Sequence, residues 1–505
     1  MLIALGTGLL SPTLGAAAGP RPPNIVLVFI DDLGWRDVGF MGNQFIETPT
    51  LDTLAQQGLV FDQAYASAPN CAPTRACLMS GQYPPRHGIY TVVDPRQPRG
   101  SPWHKLLAAE NKAELSPDVP TMAEALHAGG YATGFFGMWN LGRGRTGPVT
   151  PGGQGFDTVV FPESLGFSKD AYFDDDGQYL SDRLTDAVLE FISTNRQRPF
   201  FAYLPDHAVH APFQPKPDLL EKYTQKQAAQ GDPRDDPAYA ATVEAVDQNV
   251  GRIIAYLQQV GLADSTLVIF TSDNGGTRQY TPPLHGGKGE LYEGGIRVPL
   301  VMAGAGVMQP GRRTAVPTAS IDLYPTLLDL AGLEPPADHS LDGISLVPLL
   351  GGTARLPSRP LFWHFPCYVG PSPPASCVRL DDWKLLQFFE DSGRTELYNL
   401  AADPGETENL APSSPQRAAG LLQTLVTWQG TTGAALPSGP NPAYDPAAER
   451  PRGRNQSAGG ESSSGTGGGN PGLKKSGRQK SSGKQGGKKG PGNDQRKGKN
   501  RPLSS

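Results

Sequence analysis

A chain of 505 residues with 38% hydrophobic residues is long enough for one large α/β domain and a smaller companion, because a single core rarely grows beyond about 250–300 residues. Mean hydropathy is −0.37 and no run approaches the ~20 consecutive apolar residues of a membrane-spanning helix, which excludes that class. The net charge of −5 hides an asymmetry: from Arg450 onward fourteen Lys and Arg face only Glu461 and Asp494, so a body at −17 carries a tail at +12. An acidic body argues against a nucleic-acid-binding core, while the tail suits polyanions or anionic surfaces.

In chain order, Leu2 to Leu10 is apolar and Ala16-Ala17-Ala18 is a cleavable small-residue pattern. Residues 1–18 therefore read as a signal peptide, although a positive n-region is missing, and the protein is expected to be exported to a periplasm or the exterior. Ile25-Val-Leu-Val-Phe-Ile30 is a run of the kind buried on both faces of a sheet, ending in Asp31-Asp32. Met122 to Ala128 predicts a helix, Tyr131 to Phe136 a strand, and Leu184, Ala187, Val188, Phe191 and Ile192 one face of another helix. Phe200 to Leu204 predicts a strand, Tyr239 to Leu257 a helix, Leu267 to Phe270 a strand ending in Asp273-Asn274, and Asp322 to Leu333 a helix. This alternation implies a mainly parallel sheet covered by helices, with its ligand site beyond the carboxyl ends of the strands, where both acidic pairs fall.

After about Pro357 the texture becomes short aromatic strands, Leu361 to Phe365, Trp383 to Phe389 and Glu396 to Asn399, with a helix from about Pro415 to Trp428. A small antiparallel subdomain over 357–436 is expected from this pattern. From 437 to 505 the chain is rich in Gly, Ser, Pro, Lys and Asn with little that is apolar, and it is expected to be disordered. Four cysteines do not make a disulfide scaffold; Cys367 and Cys377 either pair across a loop or remain two inert thiols.

Asp31, Asp32, Asp273 and Asn274 supply four oxygen-bearing side chains at two strand ends, the donor type a hard divalent cation such as calcium prefers. Either pair by itself reads equally as helix caps or turns. What joins them is Cys71-Ala-Pro-Thr-Arg75, which resembles the C-x-P-x-R signature of the sulfatase family. Asp31-Asp32-Leu-Gly-Trp35, Thr48-Pro-Thr-Leu-Asp52, Thr271-Ser-Asp-Asn-Gly-Gly276, the stretch from Gly286 to Pro299, Asp322-Leu-Tyr-Pro-Thr326 and Leu341-Asp-Gly-Ile-Ser345 are similar to further family segments. The resemblance covers roughly Pro22 to Ala411.

The resemblance implies an alkaline-phosphatase-like α/β fold with a catalytic domain over 22–356. It implies that a formylglycine-generating enzyme oxidises Cys71 to formylglycine (3-oxoalanine), whose hydrate attacks sulfur and then expels sulfate. One calcium ion would be held by Asp31, Asp32, residue 71, Asp273 and Asn274. Arg75 would brace the formylglycine end, Lys288 would contact a sulfate oxygen, and His210 would protonate the leaving group. His207, out of the motif, reads as structural.

The sequence departs from the family after the strand ending at Phe136. Gly137-Met138-Trp139-Asn140-Leu141-Gly142 stands where members typically carry Gly-Lys-Trp-His-Leu-Gly. Met138 brings no charge, and Asn140, left as a substrate contact, is no base near neutral pH. Three readings are open. The first is a sulfuric ester hydrolase acting on an aryl or carbohydrate sulfate, with His104 or Lys105 borrowed for the lost groups. The second is an impaired member that binds sulfated small molecules or glycans, and the third a phosphate or phosphonate ester hydrolase of the same superfamily. Substrate selection is expected in the loops Val92 to Leu115 and Cys367 to Cys377.

Overall fold

A computed structural model describes residues 21–448 apart from 93–99, 231, 233, 353–355, 370–371 and 391–392. The signal peptide expected over 1–18 and the tail beyond residue 448 lie outside these residues. At the centre runs strand β1 (Asn24–Ile30), buried at every position. Its alternate side chains enter two cores, Val26, Val28 and Ile30 on one face and Ile25, Leu27 and Phe29 on the other. A strand covered on both sides must be apolar at every position, which is why the run does not alternate with polar residues.

Seven further strands complete the sheet: β2 (Gly58–Phe61), β3 (Ala132–Phe136), β4 (Thr158–Val160), β5 (Phe200–Asp206), β6 (Thr266–Ser272), β7 (Leu300–Gly304) and β8 (Arg312–Thr314). Their order is β8-β2-β7-β6-β1-β5-β3-β4. β7 runs antiparallel to both its neighbours, and the remaining pairings are parallel. The sheet is thus mixed and mainly parallel, as the alternating pattern implies.

Helices cover both faces. Over the Val26 face lie α1 (Pro49–Gln57), α4 (Leu180–Thr194), α5 (Pro217–Gln230) and α6 (Pro237–Gln259); over the other lie α2 (Cys71–Ser80), α3 (Met122–Ala128) and α7 (Leu323–Ala331). Local chemistry sets their starts. Thr121 and Glu124 form a reciprocal capping box on α3, and Asp236 accepts from the Ala238 and Tyr239 N–H groups ahead of α6, with Pro237 at its first position. No helix of the described residues is long and apolar enough to cross a membrane.

A four-stranded antiparallel sheet, β9 (Leu361–Phe365), β10 (Ala375–Leu380), β11 (Trp383–Phe388) and β12 (Thr395–Asn399), runs in sequence order and shares a core with α8 (Pro415–Thr432). Both sheets belong to one compact unit. Cys367 and Cys377 are free and buried, and burial pushes each thiol up to about 12; of the two readings, inert thiols is the one present. Residues 437–448, part of the tail by composition, lie against the body: Gly439–Pro440 pairs with Leu106–Leu107.

Candidate active site

β1 and β6 are neighbours with Ile30 opposite Ser272, so the residues just beyond them leave one sheet edge side by side. Asp31 and Asp32 come from the first strand, Asp273 and Asn274 from the second. β5 flanks β1 on the other side, with Ile30 opposite Asp206, and leads into His207 and His210. Backbone bonds lock these junctions: Asp31 N–H donates to Ala208 O (3.0 Å), Val209 N–H to Asp31 O (2.7 Å) and Asp32 N–H to Asp273 Oδ1 (3.2 Å). Asp32 itself sits at φ 65°, a left-handed conformation that Asp tolerates better than most residues.

Cys71 is the first residue of α2, and its thiol donates to Asp31 Oδ1 at 3.2 Å. Ligand atoms of Asp31, Asp32, Cys71 and Asp273 all lie within 4.8 Å of one another, and all four residues are buried. Burial, with Asp273 and Asp31 close by, pushes the thiol well above its usual range. As an unmodified thiol Cys71 is therefore a poor nucleophile, since the thiolate is the reactive form.

Four residues on, one helical turn along α2, Arg75 is 1% exposed. Its Nε and Nη2 donate to Asp273 Oδ2 (3.1 and 2.8 Å), Nη2 also to Asp31 Oδ2 (3.0 Å), and Nη1 to Met138 O (2.5 Å). Arg75 thus bonds the two carboxylates and the Met138 carbonyl, and not Cys71 itself. The two buried carboxylates sharing one guanidinium are driven apart: burial opposes ionisation of both, but Arg75 holds Asp31 below the ordinary range while burial and the Asp31 charge push Asp273 above it. Even with Lys288 paired to Asp32, Asp31 and Asp273 share the single charge of Arg75, and a divalent cation would relieve that competition.

A second observation fits a cation. Asn274 spends its amide N–H groups on Asp32 Oδ1 (2.8 Å) and Gly275 O (2.9 Å), which leaves its Oδ1 buried without a partner. A buried carbonyl oxygen with nothing to accept from is costly unless a ligand completes it.

Lys288 reaches the cluster from a glycine-rich loop. Gly275 is what permits the approach, because a Cβ there would lie 2.0 Å from the Gly294 carbonyl oxygen. Lys288 N–H donates to Gly276 O (2.9 Å), and Nζ lies 2.6 Å from Asp32 Oδ1 and 2.9 Å from Oδ2. Burial opposes its charge, but Asp32 and the neighbouring acids keep the ammonium protonated. His210 pairs Nδ1 with Ala211 O at 2.6 Å, and since a carbonyl only accepts, Nδ1 carries hydrogen. Nε2 therefore faces Asp32 Oδ2, 3.8 Å away, and is the nitrogen free to exchange a proton.

Met138 is half-buried and Asn140 is exposed at φ 58°. Backbone bonds hold residue 138 through its N–H to Pro205 O (3.0 Å) and through its carbonyl to Arg75, independently of its side chain. His104 stacks on Tyr368 at 3.8 Å and Lys105 Nζ lies 3.9 Å from Glu390 Oε2, so both engage the 366–390 region. His207, which lies outside the motif, also stands at the site: it is 4% exposed, 5.2 Å between ring centroids from His210, and its Nε2 has no partner. Burial lowers it to about 4. Its only sequence signal is its place three residues before His210.

The family model described as Sulfatase matches residues 23–333, and the one described as N-sulphoglucosamine sulphohydrolase, C-terminal, matches 287–426. A sulfatase of Formosa agariphila is 33% identical, with 81% of this chain and 89% of that protein covered. Human arylsulfatase A is 30% identical over 85% and 90%, and human N-acetylgalactosamine-6-sulfatase 33% over 70% of each. Among solved structures, Ps i-CgsB in complex with k-i-k-neocarrahexaose superposes with a TM-score of 0.69 at 27% identity, covering 83% of this chain and 95% of that one. A phosphonate monoester hydrolase of Agrobacterium radiobacter shares the fold at TM-score 0.63 and 22% identity over 81% and 96%.

Proposed function

The chain belongs to the sulfatase family and is a sulfatase, a hydrolase of sulfate esters, and from that premise we propose that it acts on a carbohydrate or aryl sulfate through a formylglycine made from Cys71 and one bound calcium ion. The observation that carries this reading is the convergence of Asp31, Asp32, Cys71 and Asp273 within 4.8 Å, with the unpartnered Asn274 oxygen beside them. Oxygen donors dominate that set, which suits calcium.

Each residue then has a task. Asp31, Asp32, Asp273, Asn274 and residue 71 hold the cation, which when bound supplies positive charge against the sulfate oxygens. A formylglycine at position 71 supplies a hydrate with one hydroxyl to attack sulfur and a second to expel sulfate. Arg75 keeps Asp31 and Asp273 in place and Asp31 charged. Lys288, already 2.6 Å from Asp32, is close enough to the cluster to meet an anionic substrate and offset its charge. His210, its Nδ1 spent on Ala211, presents Nε2 to the leaving oxygen and donates the proton that an alkoxide needs. Asn140, exposed at the rim, offers a neutral hydrogen bond to substrate.

Two loops stand beside the site. The 101–115 and 366–369 segments bind each other through Ala109 N–H to Pro366 O (3.0 Å) and Leu106 N–H to Tyr368 Oη (3.0 Å). Val369 packs against Gly289, the neighbour of Lys288, so the pair walls one side of the site. Relatives and neighbours named for N-acetylgalactosamine-6-sulfate and for a neocarrahexaose complex support a carbohydrate. Export, resting on Leu2 to Leu10 and Ala16 to Ala18, would place the protein with such polymers. A second reading rests on Met138 and Asn140, where the family carries Lys and His: a sulfatase of low turnover that chiefly binds sulfated ligands.

The test is the mass of the peptide containing residue 71 in protein made with a formylglycine-generating enzyme, combined with assay of a chromogenic aryl sulfate with calcium. Aldehyde with turnover supports the first reading and aldehyde without turnover the second. An unmodified thiol under those conditions rules out the formylglycine mechanism.

A further inference from the structure

A second buried charge cluster stands behind the Lys288 loop. Glu293 opens the short helical turn Glu293–Ile296, and its carboxylate accepts from the Tyr65 hydroxyl at Oε2 (2.8 Å) and from Lys384 Nζ at Oε1 (3.0 Å). Lys384, on β11, also lies 2.8 Å from Glu406 Oε1, while Glu406 Oε2 accepts the Glu293 N–H (2.6 Å). All three side chains are 0% exposed. Lys384 and Glu406 belong to the antiparallel sheet and the loop after it, and Glu293 to the loop that carries Lys288, so the cluster ties the two parts of the fold at one turn of backbone.

That turn is joined to the site by its main chain. Gly275 N–H donates to Gly295 O (3.0 Å) and Gly294 N–H to His285 O (2.7 Å). A Cβ at Gly275 would lie 2.0 Å from Gly294 O, and one at Gly294 would lie 2.5 Å from Gly286 O, so these loop segments touch with no side chain between them. Gly275 follows Asn274, and Gly286 stands two residues before Lys288; a shift of residues 293–295 is therefore passed to both. Burial opposes ionisation of Glu293, but Lys384 and Arg297 hold its carboxyl below the ordinary range. Enclosing an ammonium with two carboxylates is costly, and apolar side chains of similar volume would serve stability as well. What the charges add is one prescribed arrangement of the turn.

We propose that Lys384 is a positioning residue for the sulfatase reaction: through Glu293 it sets the 275–289 backbone, and with it Asn274 and Lys288, where the cation and the substrate require them. The proposal rests on the sulfatase reading of the site. The experiment uses the full chain with residue 71 oxidised and compares the parent with Lys384→Met, with Lys384→Met joined to Glu406→Gln, and with Leu425→Ala, a buried residue of α8 outside the cluster. The paired variant removes one of the carboxylates that Lys384→Met strands, and it carries the comparison if the single variant does not fold. Hydrogen exchange read by mass spectrometry should become faster across residues 275–295 in the Lys384 variants and not in Leu425→Ala, with β1 protected in all. Calcium should bind the Lys384 variants about tenfold more weakly, and aryl sulfate kcat should fall by a similar factor, with kcat falling more than KM rises. Lys288→Ala should cost less in the Lys384→Met background than in the parent, because both losses run through one side chain, while Leu425→Ala should lose stability yet keep calcium affinity and kcat within about twofold. Unchanged exchange across 275–295 in the Lys384 variants overturns the proposal, as does a Leu425→Ala chain whose calcium affinity and kcat fall as far as theirs. Faster exchange there, in a protein whose parent neither binds calcium nor turns over aryl sulfate, would support the positioning and count against the calcium and formylglycine reading alone.

Discussion

Replacing Arg75 by Met tests whether one buried guanidinium holds the cluster together. Arg75 and its partners are almost fully enclosed, with side-chain exposures of 1% for Arg75, 3% for Asp31 and 0% for Asp273. Met fills much of the same volume but leaves two carboxylates and the Met138 carbonyl without their donor. Removing one partner of a buried ion pair typically costs about 3–5 kcal/mol, because the charge left behind stays desolvated. Arg75→Lys should recover only part of that loss: a single ammonium cannot reproduce the planar fork that meets Asp273 along one edge and reaches both Asp31 and Met138 with its other donors. Urea denaturation of the chelator-treated protein near pH 7 measures both differences, provided the slopes agree. A loss below about 1 kcal/mol for Arg75→Met, or a Lys variant as stable as the parent, would refute the reasoning.

Calcium added to chelated protein should raise the stability by about 2.7 kcal/mol at a hundredfold excess over its dissociation constant, and Asp273→Asn or Asn274→Ala should abolish the rise; variants that respond like the parent would remove those residues from the site. Met138→Lys combined with Asn140→His should increase aryl sulfate kcat by about 10²–10⁴ if turnover is low in the parent, and an unchanged kcat would eliminate the low-turnover reading. Asp247, which accepts from Leu51 N–H (2.8 Å) and Thr50 N–H (3.1 Å), is raised by burial to about 6. The native state thus holds this proton more tightly than the unfolded chain, so stability is fullest at low pH and falls as pH rises from about 4 through 6, by about 2 kcal/mol. Asp247→Asn should flatten that slope in denaturation curves taken from about pH 4.5 to 7, and an unchanged slope would show that another group is responsible.

Much of this architecture is legible in one dimension. Wherever a strand is covered on both faces it must be apolar throughout, so Ile25 to Ile30, Phe200 to Leu204 and Leu267 to Phe270 announce themselves, and Met122 to Ala128 and Leu361 to Phe365 match their observed bounds. The donor types of the site are legible too, because Asp31, Asp32, Asp273 and Asn274 each lie just past such a run. Short strands are not legible: Gly58–Phe61, Thr158–Val160 and Arg312–Thr314 are too brief for a period to show, and they form only because longer neighbours supply hydrogen-bond partners.

The tertiary structure alone decided which of these groups touch. Sequence separation says nothing of register, and it is the pairing of Ile30 with both Ser272 and Asp206 that turns two acidic pairs and a histidine into one cluster. Composition assigns residues 437–448 to the tail, yet Asn441 finds three backbone partners in the 101–105 segment, because a hydrogen-bonding side chain orders a polar segment only where folding presents matching groups. Arg75, expected as a brace for residue 71, instead holds Asp31 and Asp273. Charge pairing in a buried site is set by which carboxylates lie within reach and how completely they are desolvated, and both depend on the packed fold.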